Sequence, residues 1–362
     1  CNYCDFLSFP SSAEDREEYI RCLVKEIEKT GIVLNDILNN KDTYQVRSIF
    51  IGGGTPSLLS GNQIKNIMQV VQKYFLIKEE AEITMEANPG TLTKKNLSAY
   101  KDAGINRLSM GLQSADNSCL YLLGRIHTWE EFLKNYELAR KAGFENINID
   151  LMSGLPGQTM SIYKKTLEKV MALRPEHISA YSLILEEGTP FYESKEIHKK
   201  IPNEEADREM YQFTKEILAE NGYDRYEISN YAKHGYQSKH NLMYWYYNNY
   251  YGIGLGACSK IDGQIIEHSR SLTKYLNGDF KTTTIDETKE ETMFNQIMMS
   301  LRLKEGLDLN KFKERYQEDA RILYKEAITR NIEKGRLMIE NDYLKATQEG
   351  QYVLNDILID FM

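Results

Sequence analysis

Strand-like segments alternate with helix-like segments through the first half of the chain, and this order restricts the fold more than any other feature. The strand segments cover 46–51, 81–87, 105–110, 147–152 and 177–185, and the helical segments between them cover 64–75, 94–103, 129–142 and 162–173. Strands that alternate with helices form a parallel sheet, either closed as a barrel or open and doubly wound. We therefore expect an α/β fold over this half of the chain.

Polar and glycine-rich residues follow these strand segments where each strand ends. They are Gly53, Gly54 and Thr55 after 46–51, Glu86 in 81–87, Gln113 after 105–110, Arg125 in a later loop, and Asp150 in 147–152. Each of them alone is also explained by a helix cap or a loop hydrogen bond. Because the carboxyl ends of parallel strands lie at one edge of a sheet, we expect these residues to share one site.

Cys1 and Cys4 form a C-x-x-C pair at the start of the sequence. Such a pair alone fits half a zinc site, a redox disulfide or part of an iron–sulfur cluster. A zinc site needs two further ligands, and the sequence has no second C-x-x-C and no H-x-x-x-H. Phe9-Pro10 prevents the helix that a thioredoxin-like pair would begin.

Composition limits the class of protein. With 362 residues and 41% hydrophobic content, the chain can bury a large core and suits two domains. Its net charge of −8 and its pI of about 5.5 argue against nucleic-acid binding, which needs a basic face. The sequence has no apolar run of about 18 residues, so we expect no transmembrane helix.

The five cysteines show no framework of paired spacings, which favours a reducing, cytoplasmic location. Cys22, Cys119 and Cys258 stand singly beside apolar residues, and we expect them to be buried, unreactive thiols. Because the sequence begins with Cys1, we expect further residues ahead of it.

The segment from Cys1 to Cys4, with Tyr3, resembles the end of C-x-x-x-C-x-Y-C, the cluster loop of radical S-adenosylmethionine (SAM) proteins. The first cysteine of that motif would lie four residues before Cys1. The resemblance implies a [4Fe-4S] cluster held by three thiolates, with one iron open to SAM. It also implies an incomplete (β/α)6 barrel, of which the first strand would precede the cluster loop.

Six later segments carry sequence motifs that indicate the family more specifically than the cysteine pair does. GGGTPS, EANPGT, RLSMGLQS, GRIHT, DLMSGLPGQT and SAYSLILEEGTP resemble the oxygen-independent coproporphyrinogen III oxidase family and, more closely, its sister group of radical SAM haem chaperones. This resemblance implies cluster ligands and SAM contacts. The implied cluster ligands are Cys1 and Cys4. The implied SAM contacts are Tyr3 in the pocket wall, the backbone of Gly53, Gly54 and Thr55 at the methionyl amino group, Glu86 at the ribose or amino side, and Gln113, Arg125 and Asp150 elsewhere.

Two departures separate the subfamilies. The decarboxylating oxidases carry a further Cys at the position that Phe6 occupies here. The segment from His240 to Trp245 matches the H-N-x-x-Y-W signature of the haem chaperones, which implies that His240 is a haem ligand. Imidazole binds haem iron, and neighbouring aromatic rings can cover a porphyrin. The alternative is an aromatic core with one hydrogen-bonded histidine.

Beyond residue 285 the pattern changes to helices with a short hairpin around Asn341-Asp342. We expect helices over 287–303, 310–316, 320–334 and 350–361, and an α+β, winged-helix-like cap domain. The acidic total argues against DNA binding by this domain. We expect a radical SAM partial barrel over 1–200, an aromatic-rich connecting region over 201–285 and the C-terminal domain over 286–362.

These observations favour a haem chaperone that binds a [4Fe-4S] cluster, SAM and haem, and passes haem to cytoplasmic or membrane-bound acceptor proteins. The competing hypothesis is a coproporphyrinogen III oxidase that decarboxylates two propionates through radical SAM chemistry. A winged-helix regulator is a third, disfavoured class.

Overall fold

The computed structural model describes residues 1–37 and 45–362. The strands are β1 (Gln45–Ile51), β2 (Leu76–Ala87), β3 (Arg107–Gln113), β4 (Asn146–Ser153), β5 (His177–Ser182), β6 (Asp224–Arg225), β7 (Asn230–Ala232), β8 (Cys258–Ile261), β9 (Gln264–His268), β10 (Thr282–Asp286), β11 (Leu307–Asp308), β12 (Leu337–Glu340) and β13 (Tyr343–Ala346). The first nine helices are α1 (Ala13–Ile37), α2 (Gly61–Tyr74), α3 (Lys94–Asp102), α4 (Asn117–Leu122), α5 (Trp129–Lys141), α6 (Met160–Ala172), α7 (Pro190–Glu193), α8 (Lys195–His198) and α9 (Glu204–Glu220). The later helices are α10 (Lys239–Trp245), α11 (Leu272–Leu276), α12 (Lys289–Ser300), α13 (Leu309–Tyr316), α14 (Ala320–Leu323), α15 (Lys325–Glu333), α16 (Gln348–Tyr352) and α17 (Leu354–Ile359).

The chain forms two compact units. The first comprises Cys1–Asp224, Ser229–Ser238 and Leu272–Asp279, and the second comprises the remaining described residues from Arg225 onwards. A seven-stranded sheet has the order β1-β2-β3-β4-β5-β7-β6. Strands β1 to β5 are parallel neighbours, and β7 joins β5 antiparallel. The parallel α/β architecture that the alternating pattern predicts is therefore confirmed.

The central strands alternate between apolar and polar residues, which places the two sets on opposite faces of the sheet. The apolar set is buried and consists of Ile83, Met85, Leu108, Met110, Ile147 and Ile149. The polar set consists of Thr84, Glu86, Arg107, Ser109, Asn148 and Asp150. The register pairs Glu86 with Ser109 and Gly111 with Asp150, so the polar residues of neighbouring strands lie side by side.

Threonine caps begin three of the helices that follow these strands. Each hydroxyl accepts a backbone N–H from the first turn and so satisfies a donor that has no partner within the helix. The capping residues are Thr93, Thr128 and Thr159. These caps end the strand-to-helix loops and fix where each helix begins.

The second unit is an α+β assembly with its own core and two small antiparallel sheets, in the orders β10-β9-β8 and β11-β13-β12. Its core includes Phe312 and Leu344, both with 0% exposure. The predicted hairpin is confirmed, because β12 and β13 pair around Asn341 and Asp342, which have φ values of 51° and 62°. Residues of this kind tolerate the left-handed conformation that a tight hairpin turn requires.

Several local predictions are wrong. The strand predicted over 177–185 ends at Ser182, and the helix predicted over 320–334 breaks at Tyr324 into α14 and α15. The helix predicted over 350–361 is likewise two short helices, α16 and α17. Cys22 and Cys119 are buried as expected, whereas Cys258 is only partly buried.

Across residues 1–37 and 45–362, no helix combines the length and the apolar character that a membrane crossing requires.

Candidate functional site

A polar cavity of about 260 Å³ lies in the first unit, at the carboxyl ends of the parallel strands. It is lined by Cys1, Tyr3, Cys4, Phe6, Ser8, Gly54, Thr55, Pro56, Glu86, Ala87, Asn88, Ser109, Gly111, Gln113, Arg125 and Asp150. The structure thus brings together the predicted site residues of the first unit. Gly53 is outside this lining and contacts it through Glu86.

The loop that carries Cys1 and Cys4 is tied down by Asn2 between them. The Asn2 backbone N–H donates to the carbonyl oxygen of Leu123 at 2.9 Å, and the Asn2 carbonyl accepts from the N–H of Phe191 at 2.9 Å. Cys1 is exposed and Cys4 is half-buried, and both thiols are free of disulfides. Both sulfur-bearing side chains are therefore presented to the cavity from an anchored loop.

Gly53 and Gly54 form an open backbone cradle after β1. Their φ values are 81° and 36°, in the left-handed region that glycine adopts most easily. No heavy atom lies within 4 Å of where a Cβ of Gly53 would be. The Gly53 N–H donates to Oε2 of Glu86 at 3.0 Å, so this cradle and the carboxylate are held together.

Glu86 is a carboxylate in an unfavourable electrostatic environment. Burial, and after it the negative charge of Asp150, raise the pKa of Glu86 to about 7, although the Gly53 N–H partly offsets both effects. Such a group gains from a cation placed in the cavity. Glu86 is thus suited to bind an ammonium or sulfonium group, or a hydroxyl donor.

Arg125 connects three parts of the cavity wall. Its Nη2 atom donates to Oδ1 of Asn88 at 3.1 Å and to the carbonyl oxygen of Gly111. Its Nη1 atom lies 3.5 Å from the sulfur of Cys1. A Cβ at Gly111 would lie 2.8 Å from Nη2, so glycine at this position makes room for the guanidinium.

Gln113 adopts a φ of 71°, which is unusual for a residue with a side chain. The strand register shifts between Gly111 and Gln113, as it does at a β-bulge. Bulges beside functional sites commonly re-aim a side chain. Here the Gln113 side chain reaches the cavity lining.

Asp150 is held by hydrogen bonds from side chains of β3 and β4. Nδ2 of Asn148 donates to its Oδ1 at 2.7 Å, and Oγ of Ser109 donates to its Oδ2 at 3.3 Å. Burial raises the pKa of Asp150, and these donors together with the Arg107 charge act in the opposite direction.

Sequence reasoning missed Asn88, Ser109 and Gly111 as parts of this wall. Asn88 follows Glu86 by two residues, and Ser109 and Gly111 are two residues apart on β3. Residues two positions apart lie on the same face of a strand, so this spacing is the sequence signal that places these residues on the cavity face.

His240 lies on α10 in the second unit, where it is half-buried. Its Nε2 atom is 3.0 Å from the hydroxyl oxygen of Tyr244, and the Tyr244 ring stands edge-on to Tyr250 at 4.6 Å. Tyr244 and Tyr250 also line an apolar cavity of about 220 Å³ with Tyr247, Lys260 and Glu287. An aromatic cluster therefore surrounds the partner of His240.

The chemistry of the first cavity fits a [4Fe-4S] cluster and SAM. Cys1 and Cys4 supply two thiolates on one loop, while the carboxylates of Glu86 and Asp150 and the guanidinium of Arg125 suit the charges and hydroxyls of SAM. Within the described residues, no group of three or more His, Cys, Asp or Glu side chains is placed to hold a metal ion. Cys1 and Cys4 are the two cysteines among the lining residues of this cavity that could ligate a cluster.

Comparison with known proteins identifies the family. The radical SAM superfamily matches residues 1–170, and the HemN C-terminal domain matches residues 288–353. The haem chaperone HemW of Lactococcus lactis is 34% identical over 366 residues, which cover 100% of this chain and 94% of the relative. The chain belongs to the HemW family. HemW of Escherichia coli is likewise 34% identical, with coverage of 100% and 94%.

Two further matches are a more distant relative by sequence and a solved structure with a similar fold. A mitochondrial radical S-adenosyl methionine domain-containing protein 1 from Danio rerio is 31% identical over 378 residues, covering 99% of this chain and 83% of that protein. The solved structure of coproporphyrinogen III oxidase (HemN) from E. coli superposes with a TM-score of 0.84 at 21% identity, covering 100% of this chain and 86% of that one. The radical SAM partial barrel with a HemN-type C-terminal domain is thereby confirmed, and membership of the superfamily implies a [4Fe-4S] cluster and SAM.

Proposed function

We propose that this protein is a haem chaperone that binds a [4Fe-4S] cluster and SAM in the first unit, binds haem at His240, and delivers haem to acceptor haemoproteins. The observation that carries this proposal is the full-length similarity to proteins named haem chaperone HemW, at 34% identity. The H-N-x-x-Y-W segment and Phe6 support it, since both match the chaperones rather than the oxidases. We further propose that it acts in the cytoplasm and that its acceptors include membrane-bound haemoproteins.

At the first cavity the proposed roles follow from charge and geometry. Cys1 and Cys4 would hold the cluster, which would supply a binding partner for SAM and electron-transfer chemistry in this cavity. The cradle of Gly53, Gly54 and Thr55 exposes backbone to that methionyl group. Tyr3 and Gln113 close the sides of the cavity.

The remaining charged groups of this cavity orient SAM. Arg125 offers guanidinium N–H groups to the SAM carboxylate. Glu86 and Asp150 accept from the ammonium group or the ribose hydroxyls, because ionised carboxylates only accept hydrogen bonds. Burial strengthens each of these contacts, since buried charges depend on paired partners.

At the proposed haem site His240 would supply an imidazole nitrogen as an iron ligand. All seven residues of α10 escape full burial, so this helix can present its side chains to a bulky ligand. The rings that follow His240 along the chain can cover a porphyrin face by stacking. Tyr244 is the nearest of these, because it already contacts the imidazole.

Haem titration followed by absorbance spectroscopy tests the proposal. We expect the wild-type protein to bind haem with a Soret band that shifts in His240→Ala, and we expect the variant to bind about 10-fold more weakly or worse. His234→Ala is the matched control, because His234 is an exposed histidine of the same chain. Equal spectra and affinities for wild type and His240→Ala would refute the assignment of His240.

The alternative function is oxidative decarboxylation of coproporphyrinogen III. The fold shared with HemN, at a TM-score of 0.84, is the observation that favours it. Anaerobic incubation of cluster-reconstituted protein with coproporphyrinogen III, SAM and a low-potential reductant distinguishes the two. We expect no vinyl-bearing product on chromatography, whereas formation of protoporphyrinogen would establish the alternative.

A further inference from the structure

A continuous line of hydrogen bonds runs beneath the first cavity from β5 to β4. The strand register places His177 beside Asn148 and Ser179 beside Asp150. Nδ1 of His177 lies 2.6 Å from Oδ1 of Asn148, and Nδ2 of Asn148 lies 2.7 Å from Oδ1 of Asp150. His177 has 0% exposure and Asn148 has 2%, so water does not compete for these bonds.

The direction of each bond follows from what each atom can donate. An amide oxygen only accepts, so the hydrogen between His177 and Asn148 resides on Nδ1 of His177. An ionised carboxylate also only accepts, so the amide nitrogen of Asn148 faces Asp150. The same Nδ2 atom lies 2.8 Å from Oγ of Ser109, which in turn donates to Asp150 at 3.3 Å.

Rotating the Asn148 amide by half a turn would exchange its oxygen and nitrogen and so exchange the acceptor that faces His177 with the donor that faces Asp150. Its oxygen would then face the Asp150 carboxylate at 2.7 Å, where two acceptors repel each other. The Nδ1–H of His177 opposes that reversal, because it would face an N–H donor instead of an oxygen. Ser179 also donates to Oδ1 of Asn148, at 3.1 Å, but a hydroxyl can rotate to accept and does not set the amide direction alone.

We propose that His177 is a positioning residue for the SAM cavity, which acts through Asn148 to hold Asp150 as a hydrogen-bond acceptor facing the ligand. This inference rests on the proposed assignment of Asp150 to SAM. His177 itself does not line the cavity. Its effect on SAM is therefore transmitted by the orientation of the Asp150 carboxylate.

The proton position is tested first, without any ligand. In full-length protein labelled with 15N-histidine, a one-bond 1H–15N correlation for Nδ1 of His177 is expected at neutral pH. The assignment comes from the loss of that signal in His177→Asn. A bare Nδ1 would overturn the proposed direction of the chain and with it the inference.

The SAM affinity of cluster-reconstituted full-length protein tests the consequence. Leucine keeps volume but lacks a donor, so we expect His177→Leu to weaken SAM binding about 10-fold in equilibrium dialysis. His177→Asn places an amide N–H near the former Nδ1 position and is expected to restore most of that affinity. In an Asp150→Asn background, His177→Leu should weaken SAM binding no further.

Tyr163→Phe is the matched control for the loss of a buried hydrogen bond. Tyr163 and Thr214 are both buried and their hydroxyl oxygens lie 2.7 Å apart, on α6 and α9, outside the cavity lining. We expect unchanged SAM affinity in this variant. Wild-type SAM affinity in His177→Leu would overturn the inference while leaving haem binding at His240 untouched. Wild-type SAM affinity in Asp150→Asn would overturn both the inference and the assignment of Asp150.

Discussion

The Nη1 atom of Arg125 lies 3.5 Å from the sulfur of Cys1. The two residues are 124 positions apart in the sequence, and the cavity wall brings them together. This contact places a hydrogen-bond donor beside a sulfur that the proposed cluster would use as a ligand. The same guanidinium is tied to Asn88 and Gly111, so its position is set by the strand ends.

Replacing Arg125 tests this relationship. Because charge-assisted hydrogen bonds contribute about 1.5–3 kcal/mol, we expect Arg125→Gln to weaken SAM binding about 10- to 100-fold. Equilibrium dialysis with cluster-reconstituted protein measures the effect. Arg140→Gln is the matched control, since Arg140 pairs with Glu176 at 2.7 Å outside the cavity lining. Equal losses in the two variants would show that the effect is general rather than local.

Glu86 makes the folding stability depend on pH. Its pKa is raised from 4.5 to about 7 in the folded protein, so between these values the folded state holds a proton that the unfolded state releases. Glu86 therefore destabilises the fold progressively as pH rises from about 4.5 through 7. We expect Glu86→Gln to remove this dependence, which urea unfolding at pH 5 and pH 8 measures. If raising the pH from 5 to 8 lowers the free energy of unfolding more in Glu86→Gln than in wild type, the sign is contradicted.

Ionisation of Glu86 also affects ligand binding. A SAM cation interacts best with the ionised carboxylate, so SAM affinity should rise as pH increases through about 7. Glu86→Gln should bind SAM more weakly and lose this rise between pH 6 and pH 8. A rise of the same size in the variant would assign the titration to another group.

The contact between Tyr244 and His240 engages the imidazole nitrogen Nε2 at 3.0 Å. Burial raises the pKa of Tyr244, so its phenol stays protonated at neutral pH. If haem iron binds Nε2, this hydrogen bond has to break. Since such a bond contributes about 0.5–1.5 kcal/mol, we expect Tyr244→Phe to tighten haem binding about 2- to 10-fold.

Absorbance titration with haem measures that change. Tyr250→Phe is the control, because its ring contacts the Tyr244 ring and the substitution also removes one phenol hydroxyl from a partly buried tyrosine. Weaker haem binding in Tyr244→Phe would instead indicate that the phenol holds the imidazole in place for the iron.

Phe312 tests the core of the second unit. It has 0% exposure and packs in the cluster with Leu309 and Leu344. We expect Phe312→Ala to lower the free energy of unfolding by about 3–5 kcal/mol, because it removes a large ring and leaves a cavity. Ile322→Ala, at an exposed position (77%), should change it by less than about 0.5 kcal/mol. Denaturant unfolding followed by circular dichroism measures both.

Much of the first unit could be predicted from sequence because its signals are local. The predicted helix over 94–103 matches α3 (Lys94–Asp102), since Thr93 caps its start and Gly104 follows its end. The strand predicted over 147–152 matches β4 (Asn146–Ser153), because apolar and polar residues alternate along it and Gly154 follows its end. Apolar alternation and turn residues are sufficient there.

The misses arise where distant contacts decide. The sheet of β8, β9 and β10 depends on pairings such as Thr282 with His268, which no local pattern specifies. The hydrogen bonds of Asn148 depend on strand register, which sequence alone does not supply. The C-x-x-C pair alone is compatible with several kinds of site, because its chemistry depends on the cavity residues that the fold brings next to it.

Haem transfer tests the central claim most directly. Full-length protein with its cluster reconstituted and haem bound would be mixed with membranes from haem-depleted cells, and the acceptor haemoproteins would be followed by absorbance spectroscopy and respiratory activity. We predict that haem moves to the acceptors and restores their activity, and that His240→Ala, which binds haem more weakly, restores less activity under the same loading conditions. If the loaded protein keeps its haem while the same membranes accept free haem, the chaperone account is contradicted.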